Sequence, residues 1–230
     1  MNTELTKLYA SKWDQLVAGH SALKIDDDGA RPAFPLLIYV DDQNAYRNAD
    51  IKVMIFGQET NGWYGECEKS VTAIQELYDD FFNEGDCWDM TTPFWRGAEK
   101  FMELIRKKFP EKTIEVIWNN VVKIGKHAAI GMPSAEIYEV EKTYFQVIPV
   151  EVEILKPDVV LFLTGPDYDF VIRDNFGNLE VKELPDATKR QISKLELPGV
   201  RYSYRTYHPN YLWRNDIEDY FGTIVDDLIF

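Results

Sequence analysis

The sequence predicts an α/β protein, a three-layer α/β/α sandwich around a central, mostly parallel sheet of four strands. Three observations lead there. Four segments read as strands: "IKVMIFG" (51–57), "IEVIWNN" (114–120), "PDVVLFL" (157–163) and "VRYSYRTY" (200–207). The first three are nearly continuous apolar runs, the pattern of parallel strands covered on both faces. Segments with apolar residues at helical spacing separate them, and this alternation belongs to sheets with helical crossovers. The chain of 230 residues has no internal repeat, low-complexity tract or Gly/Ser linker, which fits one domain over 1–230.

Taken in order, Leu5, Leu8, Tyr9, Trp13 and Leu16 share one face of an opening helix. With the loop after it, this helix forms an N-terminal extension over about 1–35. Pro32 and Pro35 hold the following chain extended, because each disfavours helix in the residue before it. "LLIYV" (36–40) is a short apolar segment and a candidate strand. Beyond the first strand, the stretch Ser70–Asn83 puts Val71, Ile74, Leu77, Tyr78 and Phe81 on one side of a helix, and Thr92–Phe109 does the same with Phe94, Phe101, Leu104 and Ile105. Ala135–Leu155 follows the second strand, Pro166–Asp174 the third and Asn215–Leu228 the fourth. The fourth strand alternates, with Tyr202, Tyr204 and Thr206 opposite Arg201, Ser203 and Arg205, as an edge strand with one wet face would. Asn175–Gly199 reads as an insertion, with a hairpin around "NFGNLEVKEL".

Net charge is −14, which favours solubility and opposes nonspecific nucleic-acid binding. The charge is uneven: residues 182–214 hold seven Lys or Arg against three Asp or Glu, so a local basic face is expected on an acidic body. The two cysteines, Cys67 and Cys87, have no cysteine or histidine at metal-ligand spacing and read as free thiols. No signal-peptide core and no run long enough to span a bilayer stands out, and the expected compartment is the cytoplasm.

In open α/β sheets, ligands collect beyond the carboxyl ends of the strands. There the first strand delivers Gly57, Gln58, Glu59, Thr60 and Asn61; the second Asn119 and Asn120; the third Thr164, Gly165 and Asp167; the fourth His208, Pro209 and Asn210. Polar residues after strands are most often turn formers or helix caps, a reading that suffices for Asn120 and Thr164 taken singly. Glutamate is a poor turn former, so Glu59 asks for another explanation. His208 is one of three histidines and abuts a proline. There is no G-x-S-x-G elbow, dinucleotide fingerprint or P-loop, and no cluster suggesting a metal site. What remains is metal-free acid/base or electrostatic catalysis.

Five stretches in order, "VMIFGQET", "PFWRGAEKFMELI", "IWNNVVKIGKH", "LKPDVVLFLTG" and "YHPNYLWR", resemble motifs of the uracil-DNA glycosylase superfamily, closest in order to its iron–sulfur-bearing branch. The resemblance runs from about Ile51 to Arg214. It implies that Glu59 orients the attacking water and steadies the sugar cation, and that His208 hydrogen-bonds the departing base anion. It further implies that Gln58 contacts the base edge, that Phe94 stacks on the flipped base and that Asn120 reads its pairing edge. Tyr211, Leu212, Trp213 and Arg214 would lie in the loop that enters the minor groove, with Arg201, Arg205 and Arg214 near phosphates. The implied partner is DNA containing a damaged base. The iron–sulfur branch uses four cysteines and this chain has two, so neither a cluster nor any other cofactor is expected. The loop also departs from the family pattern, with Thr60 and Asn61 after a glutamate that is one methylene longer than aspartate. The alternative is a relative without catalysis that binds a nucleobase, a small metabolite or a protein.

Overall fold

A computed structural model describes residues 1–23, 31–41, 43, 45–60, 63, 70–185 and 187–230. Asn61 and Cys67, both singled out above, lie outside the described residues. In chain order the elements are α1 (Asn2–Ser21), β1 (Pro32–Pro35), α2 (Ala45–Asn48), β2 (Ile51–Gly57), α3 (Val71–Tyr78), α4 (Pro93–Lys108), β3 (Ile114–Asn120) and β4 (Ile124–Lys126). Then come α5 (Ala135–Tyr144), α6 (Ile148–Leu155), β5 (Val159–Phe162), α7 (Asp169–Phe176), β6 (Val181–Glu183), β7 (Ile192–Leu195), β8 (Tyr202–Thr206), α8 (Pro209–Leu212) and α9 (Ile217–Asp226).

The fold is α/β with a mixed, mostly parallel sheet, and that sheet has six strands rather than four, in the order β3-β2-β5-β8-β7-β6. The four strands read from the sequence are β2, β3, β5 and β8, all parallel neighbours. The two additional strands come from the expected insertion, whose hairpin β6–β7 joins the sheet antiparallel to β8. β8 is therefore an interior strand and not an edge. Its alternating polar residues are buried with partners: the Ser203 hydroxyl donates to the Leu195 carbonyl, and Arg205 is held by Asp169 and Ser193.

Burial follows from sequence pattern. Side chains of β2 alternate between two hydrophobic clusters. Met54 and Phe56 join residues of α1, α3, α5 and α6, whereas Ile51, Val53 and Ile55 join residues of α4 and α9. The predicted helix over Ala135–Leu155 is two helices, broken where Phe145 leaves helical geometry (φ −134, ψ 35), and Pro149 sits in the first turn of α6. The candidate strand 36–40 is buried but belongs to no strand. Leu36 N–H donates to the Lys123 carbonyl, and beyond it backbone groups bond to side chains: Ile38 N–H to the Tyr9 hydroxyl, Ile38 C=O to the Gln75 amide, and both Val40 groups to the Asn2 amide. The opening helix α1 is likewise built into the core through Leu5, Tyr9 and Leu16. Among the described residues no helix is long and apolar enough to cross a membrane.

This topology fixes where a ligand would sit. From β2 the chain passes to β3 on one side and later to β5 on the other. The strand order thus reverses at β2, and the crevice beyond the ends of β2 and β5 is the expected binding position for such a sheet.

Candidate active site

Gly57 and Asn120 are register partners at the ends of β2 and β3. A Cβ on Gly57 would lie 2.4 Å from Asn120 Oδ1 and 3.1 Å from Phe94 Cε2. Glycine here is what lets an amide and an aromatic ring close on the strand end. Phe94 is brought in by the first turn of α4, which begins at Pro93. The helix is seated by Gly97, where a Cβ would lie 2.6 Å from Pro209 Cβ. That close approach joins α4 to the His208–Pro209 turn, and the Phe94 and His208 rings stack with centroids 6.2 Å apart and planes 23° apart.

His208 is the N-cap of α8, and its Nδ1 accepts the Asn210 backbone N–H at 3.2 Å. Burial lowers its pKa below the ordinary value of 6.5. A neutral ring whose Nδ1 accepts must carry its proton on Nε2, so His208 presents a neutral N–H donor.

Asn120 is 2% exposed. Its Oδ1 accepts the Trp118 indole N–H at 3.2 Å, whereas its Nδ2 is buried without a hydrogen-bond partner among the described residues. Such a group costs on the order of 1–3 kcal/mol. A ligand carbonyl would supply the missing acceptor, and it would reach the amide by displacing the neighbours that now close over it.

Glu59 is partly buried, and its Oε2 accepts the Tyr168 hydroxyl at 2.6 Å. Burial, and then the adjacent carboxylate, push the Tyr168 pKa well up, so the phenol stays a donor. The sequence reading missed Tyr168; the signal was a tyrosine just past the Gly165-Pro166 turn that ends the third strand. Gln58 braces the crevice more than it faces it: its Nε2 donates to the Thr164 carbonyl at 2.8 Å, and its backbone carbonyl accepts Val122 N–H. Thr60, 1% exposed, accepts the Gly125 N–H on its hydroxyl and ties the loop to β4.

The four residues expected to reach DNA do not form one projecting surface. Leu212 is fully buried in the cluster formed with α4 and α9, because α8 turns its apolar side inward. Trp213 donates from its indole to the Pro93 carbonyl, with Arg96 5.0 Å above its ring. Tyr211 packs on Tyr207 at 4.3 Å and keeps 40% of its surface exposed. The Arg214 side chain donates back to the Asn210 carbonyl. The basic segment is also partly neutralised. Arg205 is 4% exposed and pairs with Asp169 at 2.8 Å, which takes it away from any phosphate. Lys182 pairs with Glu196 and Lys194 with Asp227.

Beneath Asn120 lies a second polar cluster that the sequence reading also missed. Lys123, fully buried, donates from Nζ to Asn119 Oδ1 and Glu151 Oε1, both at 2.8 Å. Glu151 accepts from the Tyr9 hydroxyl and from Asn119 Nδ2. Asn119 Oδ1 also accepts the Asn120 backbone N–H at 2.8 Å, so this cluster underpins the strand end that carries Asn120.

Two cavities of about 340 Å³ each lie elsewhere, one beside β3 against Tyr46, Trp88 and Met102, the other between α7 and the β6–β7 hairpin. Glu59, Phe94, Asn120 and His208 line neither of them. Among the described residues no group of three or more His, Cys, Asp or Glu could hold a metal ion. Cys87 is free and buried, and burial pushes its thiol pKa to about 12, so it is no nucleophile. No known family model matches the chain, and a search of curated proteins finds no match.

Proposed function

We propose that this protein is a DNA base-excision glycosylase of the uracil-DNA glycosylase type, built as a three-layer α/β/α sandwich and acting in the cytoplasm. The observation that carries the reading is the buried Asn120 NH2 without a partner, on the same glycine as the Phe94 ring. A planar base stacked on Phe94 would give that amide a carbonyl. When the glycosidic bond breaks, its electron pair leaves with the base and positive charge develops on the sugar. The neutral His208 Nε2–H would donate to the base oxygen that gains charge. Glu59, positioned by Tyr168, would orient water and offset the sugar cation. The base must first leave the stack, as in other enzymes that act on bases.

The fully buried Leu212 and the net charge of −14 favour a second reading, a pocket that binds a free nucleobase without gripping DNA. One panel separates the two. Oligonucleotides carrying uracil, hypoxanthine or xanthine, single- and double-stranded at low salt, are incubated with wild type, Glu59→Gln and His208→Ala. The glycosylase reading expects excision by wild type and a loss on the order of 10²-fold in each variant. No excision from any substrate, together with a rise in melting temperature on adding a free base, moves the assignment to the second reading.

A further inference from the structure

We infer that Trp118 is a positioning residue that sets the polarity of the base pocket, by holding the Asn120 amide with its oxygen inward and its NH2 toward the ligand. The inference rests on the reading of Asn120 as the group that faces the base. An asparagine side chain has an acceptor end and a donor end of nearly the same shape, so something must decide which end meets the ligand. An indole N–H is a donor only. The Trp118 Nε1 lies 3.2 Å from Asn120 Oδ1, and turning the amide over would set its NH2 against the indole N–H. Two buried donors would then oppose each other with no acceptor between them, which the low-dielectric interior penalises. Gly57 completes the arrangement, since the space its missing Cβ leaves is filled by Asn120 Oδ1 at 2.4 Å.

Trp118 can serve as a fixed reference because it cannot rotate away. It is 7% exposed and enclosed by rings on several sides. Tyr78 stacks on it with planes 13° apart, while Trp95 and Trp63 meet it edge-on at 5.0 and 5.5 Å. The Tyr78 hydroxyl also donates to the Trp118 carbonyl at 2.8 Å, fixing its backbone. A ligand that displaces the neighbours over Asn120 would then have to present a carbonyl to it. A base with an exocyclic amine there would bring a donor to a donor, and a site built around a hydrogen bond rejects such a mismatch strongly.

The experiment uses Trp118→Phe, which keeps an aromatic ring in the cluster and removes the indole N–H together with the rest of the second ring. Excision of uracil and of cytosine from the same oligonucleotide is measured for wild type and variant, with melting temperature as the check on folding. The expected result is a fall of at least ~10-fold in the uracil-to-cytosine ratio, larger than the fall in the uracil rate itself. A simple packing defect lowers both rates together, and an unchanged ratio in a folded variant overturns the inference. The lock is also read without turnover or a folded Trp118 variant, by hydrogen exchange of the Trp118 indole N–H. Protection in wild type that is lost in Asn120→Ala supports it; equal exchange in the two overturns it. Wild type inert on every base, with indole protection that is lost in Asn120→Ala, would sink the glycosylase reading and leave the lock standing.

Discussion

Asn119 and Asn120 are consecutive buried residues at the end of β3, and their surroundings are opposite. The Asn119 amide is bonded at both ends, its oxygen by Lys123 and the Asn120 N–H, its nitrogen by Glu151. The Asn120 amide is bonded at its oxygen by Trp118 and, among the described residues, at its nitrogen by nothing. One strand end therefore carries a polar cluster completed within the protein and, one residue on, a polar group left incomplete. A satisfied buried network is a brace that rigidifies its surroundings, whereas an orphaned buried polar group asks for an explanation, which the proposed function supplies as a ligand carbonyl.

Breaking the brace has the largest expected effect. Lys123→Met leaves Glu151 buried without its cation and should cost about 3–5 kcal/mol in urea unfolding, while Lys123→Met with Glu151→Leu should recover part of it. Next comes Glu141, whose carboxylate accepts the backbone N–H groups of Lys123 and Ile124 and whose pKa burial raises from 4.5 to about 7. A carboxyl raised on folding contributes stability while neutral. That contribution is present in full below pH 4.5 and fades as pH rises through 7. Wild type should lose up to roughly 3 kcal/mol relative to Glu141→Gln across that window, measured as the difference between their stability-versus-pH curves. Taking the difference removes the opposite trend from His208, whose depressed pKa favours the fold above 6.5 and is lost on acidification.

The contrast also marks what was legible in the sequence. β2 and β3 occupy 51–57 and 114–120 as their apolar runs indicate, because both faces of these strands are covered and burial is written directly into composition. The strand ends, and with them Glu59, Asn120 and His208, followed from topology. The hairpin around 175–184 was expected, but not that it would extend the sheet, since all three residues of β6 are exposed and two are charged. The segment 36–40 looked like a strand because its burial matches one, but Tyr9, Gln75 and Asn2 took the bonds a neighbouring strand would make. The brace was out of reach for the same reason. Lys123 and Glu151 are 28 residues apart and Tyr9 and Glu151 are 142 apart, and no periodicity encodes which buried charges will meet.

Gly57→Ala tests the boundary between the two regions. Its Cβ would overlap Asn120 Oδ1, so the amide or the strand must shift, at a cost of about 1–3 kcal/mol. The shift falls on the incomplete side, and under the glycosylase reading uracil excision should drop on the order of 10²-fold even where the variant remains folded at the assay temperature. Excision near the wild-type rate would mean that Asn120 does not face the base.

The smallest expected stability effect is the most telling one. Asn119→Ala leaves Lys123, Glu151 and the Asn120 N–H each short of a partner and should cost about 2–3 kcal/mol. Asn120→Ala removes a donor that has no partner, which favours the fold, and strips the Trp118 indole of its acceptor, which opposes it. The two terms are of similar size, so its unfolding free energy should stay within about 1 kcal/mol of wild type. Excision, or free-base binding under the second reading, should nevertheless disappear from Asn120→Ala. Neighbouring alanines on one strand would then divide stability from function. An Asn120→Ala variant as unstable as Asn119→Ala would instead place both amides in the brace and leave the pocket without a group to read its ligand.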